Sequence, residues 1–213
     1  GAPLNKKTAT TIGVFDGLHI GHQRLISHIV NNPKGLSPVV ITFSSNPAKL
    51  LKKEAYPGDL FTLPQKTDIL SSLGVELTIL IDFSPDFSKL SGKDFIYKIV
   101  NNIDLRCLVI GKNFHCGKNA ETNAEMIKEY LSDTGVTVHI IEPVESNGEA
   151  VSSTKVRTMI LAGKMHHVKQ LLGRPYKLDI QQTKRESRNG KTIIDSREVN
   201  QLLPPKGVYP IKV

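Results

Sequence analysis

Residues 8–22 read Thr-Ala-Thr-Thr-Ile-Gly-Val-Phe-Asp-Gly-Leu-His-Ile-Gly-His, and this stretch decides the fold. Residues 8–15 are mostly β-branched and apolar, which predicts a buried strand. A loop with three glycines follows. A helix is predicted from about residue 21 to residue 31, because the apolar residues there fall on one face. A strand, a glycine-containing loop and a helix in this order begin a βαβ unit.

The chain beyond this unit continues the same alternation. Further strands are predicted at residues 38–43, 77–82, 106–110 and 136–141. Helices are predicted near residues 63–73, 92–102, 123–133, 154–162 and 166–172, and a long loop at residues 44–61. Five strands that alternate with helices predict right-handed crossovers and a mostly parallel sheet covered on both faces, which is a Rossmann-like α/β fold.

The pattern breaks at Gly173-Arg174-Pro175. Beyond it, strands are predicted from residue 176, at residues 191–195 and at residues 207–213, with a turn at residues 188–190. This C-terminal segment is short and has few apolar residues, so it cannot fold alone. It must dock on the main domain or on another chain. The sequence therefore predicts a domain at 1–173 and a β-rich appendage at 174–213.

Composition excludes several classes of protein. The 213 residues carry a net charge of +8 and 39% hydrophobic residues, as folded proteins do, so disorder is excluded as the main state. No apolar run approaches the roughly 20 residues of a membrane-spanning helix. The two cysteines cannot form a disulfide framework or a four-ligand zinc site. We expect a cytoplasmic protein with no membrane partner, and the oligomeric state stays open.

The C-terminal segment holds an excess of basic residues, but these are interspersed with acidic and apolar ones. Without a polybasic block, nucleic acid is not the expected partner.

The loop at residues 13–22 is the first candidate site. Glycines let backbone amides approach a ligand, and the free N–H groups at a helix start attract anions. His19 and His22 lie at this helix start, where imidazoles can donate hydrogen bonds to phosphate oxygens. The alternative is a buried core histidine at 22 and a solvated one at 19. The arrangement His-x-Gly-His between a strand and a helix favours the anion site.

A second candidate site lies far downstream, at residues 151–157, Val-Ser-Ser-Thr-Lys-Val-Arg. Hydroxyls just before a helix cap its amides, and the first turn can direct Lys155 or Arg157 at a polyphosphate. The alternative is an ordinary capped helix with two cations on its surface. The histidine loop elsewhere in the sequence favours the polyphosphate site over this alternative.

Residues 13–22 resemble the signature of the nucleotidyltransferase superfamily, whose name motif HIGH is spelled by residues 19–22. Further segments are similar to the adenylyltransferase module of the bacterial bifunctional riboflavin kinase/FAD synthetase family. These are residues 40–43 followed by Asn46-Pro47, the loop at residues 111–117, the Ser-Ser-Thr-x-x-Arg at residues 152–157, and residues 171–176.

This resemblance implies transfer of AMP from ATP to FMN, which gives FAD and pyrophosphate, with Mg²⁺ carried by the polyphosphate. It implies catalytic roles for His19, His22, Ser153, Thr154 and Arg157. It implies nucleotide-binding roles for Gly13, Phe15, Asp16, Gly17, Gly21, Gly111 and Ser152. It implies flavin-binding roles for Phe43, Asn46, Pro47, Asn113 and Phe114, and no residue is assigned as a metal ligand.

The sequence departs from this family's pattern in two places. The loop at residues 111–117 has Cys116 where an aromatic residue is common and His115 where a larger or more basic one is common. The Gly-Phe-Pro-Thr-Ala-Asn segment of the kinase module is absent, so residues 174–213 are expected to be a vestigial or truncated kinase barrel without riboflavin kinase activity. Two alternatives stay open: another nucleotidyltransferase with a different phosphate acceptor, and a non-catalytic regulator that binds flavin or RNA.

Overall fold

The computed structural model describes residues 4–32, 35–51, 56–189 and 191–211. The helices are α1 (Ile20–Val30), α2 (Ala48–Leu51), α3 (Leu63–Ser72), α4 (Gly92–Asn102), α5 (Ala124–Tyr130), α6 (Ser153–Leu161) and α7 (Met165–Leu172). The strands of the main sheet are β1 (Leu4–Ile12), β2 (Ser37–Phe43), β3 (Leu77–Ile81), β4 (Ile103–Gly111) and β7 (Thr137–Ile141). Three short hairpins add β5 (His115–Cys116) with β6 (Thr122–Asn123), β8 (Glu145–Ser146) with β9 (Glu149–Ala150), and β10 (Arg185–Arg188) with β11 (Lys191–Ile194).

The main sheet has the order β3-β2-β1-β4-β7, and every pair in it is parallel. The predicted Rossmann-like α/β fold is thus confirmed. One face packs on a core that includes Ile26, Val156 and Leu171, and the other on a core that includes Phe95 and Ile127. The chain leaves β1 toward β2 on one side and reaches β4 on the other, so the crevice between the carboxyl ends of β1 and β4 is the topological switch point where such sheets bind ligands.

Local sequence explains where most helices begin. Thr62 and Gln65 form a reciprocal capping box at the start of α3, and Ser91 caps α4 through its bond to the Asp94 amide. Ser152 caps α6 through the Lys155 amide. These caps satisfy amides that a helix leaves unpaired at its first turn. The predicted bounds of α4 were therefore correct, and those of the other long helices were correct to within a few residues.

Some details of the predicted elements were wrong. The first strand ends at Ile12 rather than at residue 15, because Phe15 has a φ of +49°, which a strand cannot contain. The fourth strand begins at Ile103, since the chain passes from α4 into β4 without a loop. The predicted loop at residues 44–61 contains the short helix α2.

The C-terminal segment has less strand than predicted. A hairpin of β10 and β11 forms at the predicted turn, of which Gly190 lies outside the described residues. The strand predicted at residues 207–213 is wrong for the described residues 207–211, where the side chain of Val208 is fully exposed and no neighbouring strand pairs with it. Within the described parts of the chain, no helix is long and apolar enough to cross a membrane.

Candidate active site

A cleft of about 820 Å³ lies at the carboxyl ends of β1 and β4, where the sheet order places a ligand site. Ten of the predicted site residues line it: Gly13, Phe15, His19, Gly21, His22, Phe43, Pro47, Gly111, Asn113 and Phe114. Residues from β1, α1, the end of β2 and the loop after β4 therefore share one cavity, although the sequence separates them by about 90 positions.

The loop that opens the cleft, residues 13–22, has an unusual backbone. Phe15, Gly17 and Leu18 have φ values of +49°, +84° and +41°. Such values cost non-glycine residues about 1–3 kcal/mol each, so the surroundings must hold them. At Gly17 a side chain is excluded, because an added Cβ would lie 2.7 Å from the Cδ1 of Leu60. The loop is thus both strained and closely packed.

The two histidine rings are stacked, with centroids 3.6 Å apart and planes at 18°. His19 is the N-cap residue of α1, and its Nδ1 accepts a hydrogen bond from the backbone N–H of His22 at 3.3 Å. The ring of His22 also packs edge-on against Phe15, at 5.1 Å between centroids. His22 therefore lies over the sheet, as its helix position predicts.

Burial controls the protonation of both rings. Desolvation, helped by the nearby Arg174 cation, lowers the pKa of His19 to about 4. Desolvation, and then the charges of His19, Lys66 and Arg174, lower the pKa of His22 well below its ordinary value. Both rings are neutral at pH 7. Since Nδ1 of His19 accepts a hydrogen bond, its single proton is on Nε2.

The Nδ1 atom of His22 is buried and has no hydrogen-bond partner among the residues that the structure describes. Buried polar atoms of this kind call for an explanation, because nearly all others in proteins are satisfied. This atom has almost no accessible surface in the structure, so a ligand oxygen could become its partner only if the ring or its neighbours moved.

Asp16 joins three parts of the site. Its side chain is buried, and it accepts hydrogen bonds from the Leu60 amide and the Asn46 amide group, both at 3.1 Å. It also forms an ion pair with Arg157 of α6. Desolvation raises the pKa of Asp16, and the charge of Arg157 opposes this effect. The carboxylate thereby ties the loop before α1 to the loop after β2 and to α6.

The segment at residues 152–157 lies against the histidine loop. The Ser153 hydroxyl donates to the Asp16 carbonyl oxygen at 2.7 Å, and Arg157 also donates to the Gly58 carbonyl at 3.1 Å. The structure thus brings the two distant candidate sites together. Lys155 instead pairs with Glu149 at 2.7 Å, next to the β8–β9 hairpin.

The remaining predicted residues lie beside the cleft rather than in its lining. Asp16 and Asn46 line a smaller neighbouring cavity of about 350 Å³, and Gly17, Ser152, Ser153, Thr154 and Arg157 are outside the cleft lining. The guanidinium of Arg157 is committed to Asp16 in this structure. A role of Arg157 on the leaving phosphate therefore stays a prediction.

Two basic residues near the histidines were missed by the sequence analysis. Lys66 is buried, and its Nζ donates to the carbonyls of Val14 at 3.0 Å and Phe43 at 3.4 Å. A signal existed, since Lys66 lies four residues before Leu70 and hence on the buried face of α3. Burial lowers the pKa of Lys66, and the charge of Asp16 opposes this. Arg174 follows α7, and its Nη1 donates to the Leu18 carbonyl of the histidine loop at 3.0 Å.

The loop after β4 is built differently. A backbone bond from Phe114 N to the Gly111 carbonyl at 2.9 Å closes its turn, and β5 pairs with β6. Gly117 has a φ of +82° and faces Gly92 at the start of α4, so an added Cβ would lie 2.3 Å from the Gly92 nitrogen. Cys116 is half-buried, and burial raises the pKa of its thiol to about 12, so it is not a reactive thiolate.

The described residues contain no group of three or more His, Cys, Asp or Glu side chains that could hold a metal. Asp16, the carboxylate within the histidine loop, is already bonded to Arg157 and two amides. A metal in this cleft would have to be held mainly by oxygens of a ligand.

A family model described as FAD synthetase matches residues 2–155, which include both candidate segments nearly in full. The chain belongs to the FAD synthetase family. The expected family is thus confirmed by a match that covers most of the chain.

Two curated relatives of this chain carry two activities in their names. A bifunctional riboflavin kinase/FMN adenylyltransferase of Buchnera aphidicola subsp. Acyrthosiphon pisum (strain APS) is 32% identical over 178 residues, which are 82% of this chain and 57% of that protein. The protein of the same name from Bacillus subtilis (strain 168) is 30% identical over 217 residues, which are 97% of this chain and 67% of that protein. The chain therefore spans just over half of the Buchnera relative's length.

A solved structure shares the fold across the whole chain. A protein of Streptococcus pneumoniae named a macrolide-efflux protein superposes with a TM-score of 0.82 at 27% identity, covering 98% of this chain and 69% of that one. The similarity includes the C-terminal segment as well as the Rossmann-like domain.

Proposed function

We propose that this chain is an FMN adenylyltransferase, which transfers AMP from Mg–ATP to FMN and releases pyrophosphate and FAD. The observation that carries the proposal is the neutral, stacked pair of His19 and His22 on the wall of the cleft, at the start of α1. Family membership supports the same activity.

The reaction needs positioning and charge stabilisation more than acid–base chemistry. An FMN phosphate oxygen attacks the α-phosphorus of ATP in line, and the bond to the β-phosphate oxygen breaks. Negative charge spreads over the equatorial oxygens as this happens. A neutral imidazole can donate its N–H to such an oxygen without losing a proton, and donors fixed before the reaction stabilise its transition state.

The helix start adds to this stabilisation. The unpaired amides at the start of α1 favour an anion, and the amides of residues 15–17 would contact the same phosphates. Ser153 and Thr154 at the start of α6 would face the leaving pyrophosphate, with Ser152 capping the helix. Arg157 would contribute positive charge there, either while it is paired with Asp16 or after this ion pair breaks and the guanidinium contacts the pyrophosphate.

The part of the cleft away from the histidines has room for the flavin and adenine rings of the two substrates. Phe43, Pro47 and Phe114 line it, and the loop around Asn46 borders it. We assign FMN to these residues with Asn113. Adenine is assigned to the side formed by Gly111 and the stretch from Val144 to Val151. Mg²⁺ would enter with ATP and be held by phosphate oxygens and water.

The test is pyrophosphate release with ATP and each of several acceptors: FMN, riboflavin, phosphopantetheine, nicotinamide mononucleotide and glycerol phosphate. Pyrophosphate and FAD with FMN alone are expected. Preference for another phosphate acceptor, or for CTP, would assign the chain to a different nucleotidyltransferase activity. Salt-sensitive RNA binding without pyrophosphate release would support a regulator instead.

The same mixtures test the second half of the proposal, which is that this chain has no riboflavin kinase activity. We expect no FMN from riboflavin and ATP, because the sequence holds no Gly-Phe-Pro-Thr-Ala-Asn segment. Formation of FMN would contradict this.

A further inference from the structure

Arg174 lies one residue beyond the predicted domain boundary and contacts the histidine loop. Its Nη1 donates to the carbonyl oxygens of Leu18 at 3.0 Å and Leu172 at 2.9 Å. Its Nη2 donates to the Gly17 carbonyl at 2.9 Å. The guanidinium also lies over the ring of Phe61, 5.0 Å from its centroid. The described partners of this cation are thus carbonyl oxygens and a ring, not a carboxylate.

These carbonyls belong to the part of the loop that most needs support. Gly17 and Leu18 both have positive φ values, and a leucine in that conformation persists only when its surroundings over-determine it. The turn directs the two carbonyl oxygens to one side. A planar guanidinium with donors in a fixed fork matches such a pair, whereas an ammonium would not.

Gln23 completes the arrangement from inside α1. Its Nε2 donates at 2.8 Å to the same two carbonyls, of Leu18 and Leu172, that Arg174 contacts. Leu172 ends α7, and Gly173 follows it in the left-handed conformation with a φ of +69°. A cation at a helix C-terminus is electrostatically favourable, which helps to keep Arg174 there.

We propose that Arg174 is a positioning residue for nucleotidyl transfer, which fixes the Gly17–Leu18 turn and thereby directs His19 into the cleft. His19 follows Leu18 directly, and its ring is stacked on His22 and caps α1. A rotation at Leu18 would therefore displace both imidazoles. The inference rests on the proposed function for its activity test.

One consequence is that the C-terminal segment belongs to the site. Gln201 donates to the Leu60 carbonyl at 2.9 Å, and Leu60 donates to Asp16, so this segment supports the loop at a second point. The segment is then a structural part of the transferase rather than only a remnant of a kinase barrel.

The test compares Arg174→Ala, Arg174→Lys and the control Arg197→Ala in FAD formation. Arg197 belongs to the same segment, and its side chain is 88% exposed. We expect Arg174→Ala to lower kcat by about 10²-fold, the loss that a misplacement of about 1 Å causes, with a smaller change in KM. Millimolar guanidinium should restore part of kcat in Arg174→Ala, and Arg174→Lys should remain impaired. Arg197→Ala should match the wild type.

A second readout needs no activity. Nitrogen NMR of the histidine rings, without substrate, should show one Nε2–H tautomer of His19 in the wild type and a mixture in Arg174→Ala, reversed by guanidinium. If the wild type forms no FAD, the proposed function is wrong. The His19 spectrum alone then shows whether Arg174 fixes the Gly17–Leu18 turn. The inference is overturned if Arg174→Ala keeps the wild-type kcat or leaves the His19 spectrum unchanged. It is also overturned if the loss of activity matches the fraction of unfolded protein and guanidinium does not reverse it.

Discussion

The loops that follow β1 and β4 leave adjacent strands and line the same cleft, yet they are stabilised in opposite ways. The first, residues 13–22, contains the buried Asp16 and His19 and is held by side chains from α6 and the C-terminal segment. The second, residues 111–117, contains no buried residue and is held by its own turn and by the β5–β6 pair. The difference indicates that chemistry requiring fixed donors belongs to the first loop, and that the second can vary.

The largest expected effect concerns the ion pair of the first loop. Asp16→Asn should lower the free energy of unfolding by about 3–5 kcal/mol, because it leaves the guanidinium of Arg157 without its charge partner in a mostly buried place. Urea unfolding monitored by circular dichroism measures this loss.

The second loop offers the matched control. Lys112 and Glu142 form an exposed pair at 2.8 Å, and Lys112→Ala should lower the free energy of unfolding much less than Asp16→Asn, because water and salt screen an exposed pair. Equal losses in the two variants would show that the loops do not differ as described.

A second effect, on rate, should separate the histidines of the two loops. His22→Ala and His19→Ala should each lower kcat for FAD formation by about 10²-fold or more, the cost of losing one fixed donor to a developing oxyanion. His115→Ala, in the second loop, should leave kcat close to that of the wild type. Full turnover in either variant of the first loop would remove its assigned role.

The sequence predicted these histidines because their function depends on local spacing. A strand, a glycine loop and a helix place His19 and His22 at one helix start whatever the rest of the chain does. The core strands were equally accessible, since a buried parallel strand requires a continuous apolar run such as that of β2.

The partners of the first loop could not be predicted in this way. Arg157 lies 141 positions from Asp16, and Arg174 lies 156 from Leu18, so only the packing of α6 and α7 brings them together. The assignment of Arg157 to a substrate phosphate stays a prediction, but a short motif does not show that Arg157 also pairs with Asp16. The strand predicted at residues 207–213 was wrong for a similar reason, because the local sequence near Val208 does not show whether another strand lies beside it.

A last prediction concerns the first loop alone, because the burial of His19 should make the free energy of unfolding depend on pH. The pKa of His19 is about 4 in the folded protein, against an ordinary value of 6.5. Between these values the unfolded chain binds a proton that the folded chain does not, so stability falls as the pH decreases from 6.5 to 4. His19 alone should contribute a loss of at most about 3 kcal/mol over this window.

His19→Asn is the variant that isolates this contribution, because asparagine keeps an oxygen that can cap α1. Urea unfolding at pH 7, 6, 5 and 4.5 should show a shallower decline for this variant than for the wild type. Parallel declines would mean that His19 is protonated as easily in the folded protein as in the unfolded one.

The contact between Gly92 and Gly117 restricts how the second loop can be exchanged among relatives. Each of these positions lacks room for a methyl group, since a Cβ at Gly92 would also lie 2.4 Å from the Cβ of Thr122. A transplanted segment must therefore bring glycine at 117, and its recipient must have glycine at 92 as long as Thr122 is kept. Changes of specificity along this rim of the cleft are then left to the side chains of residues 112–116, because the backbone on either side of the Gly92–Gly117 contact cannot move apart without breaking it.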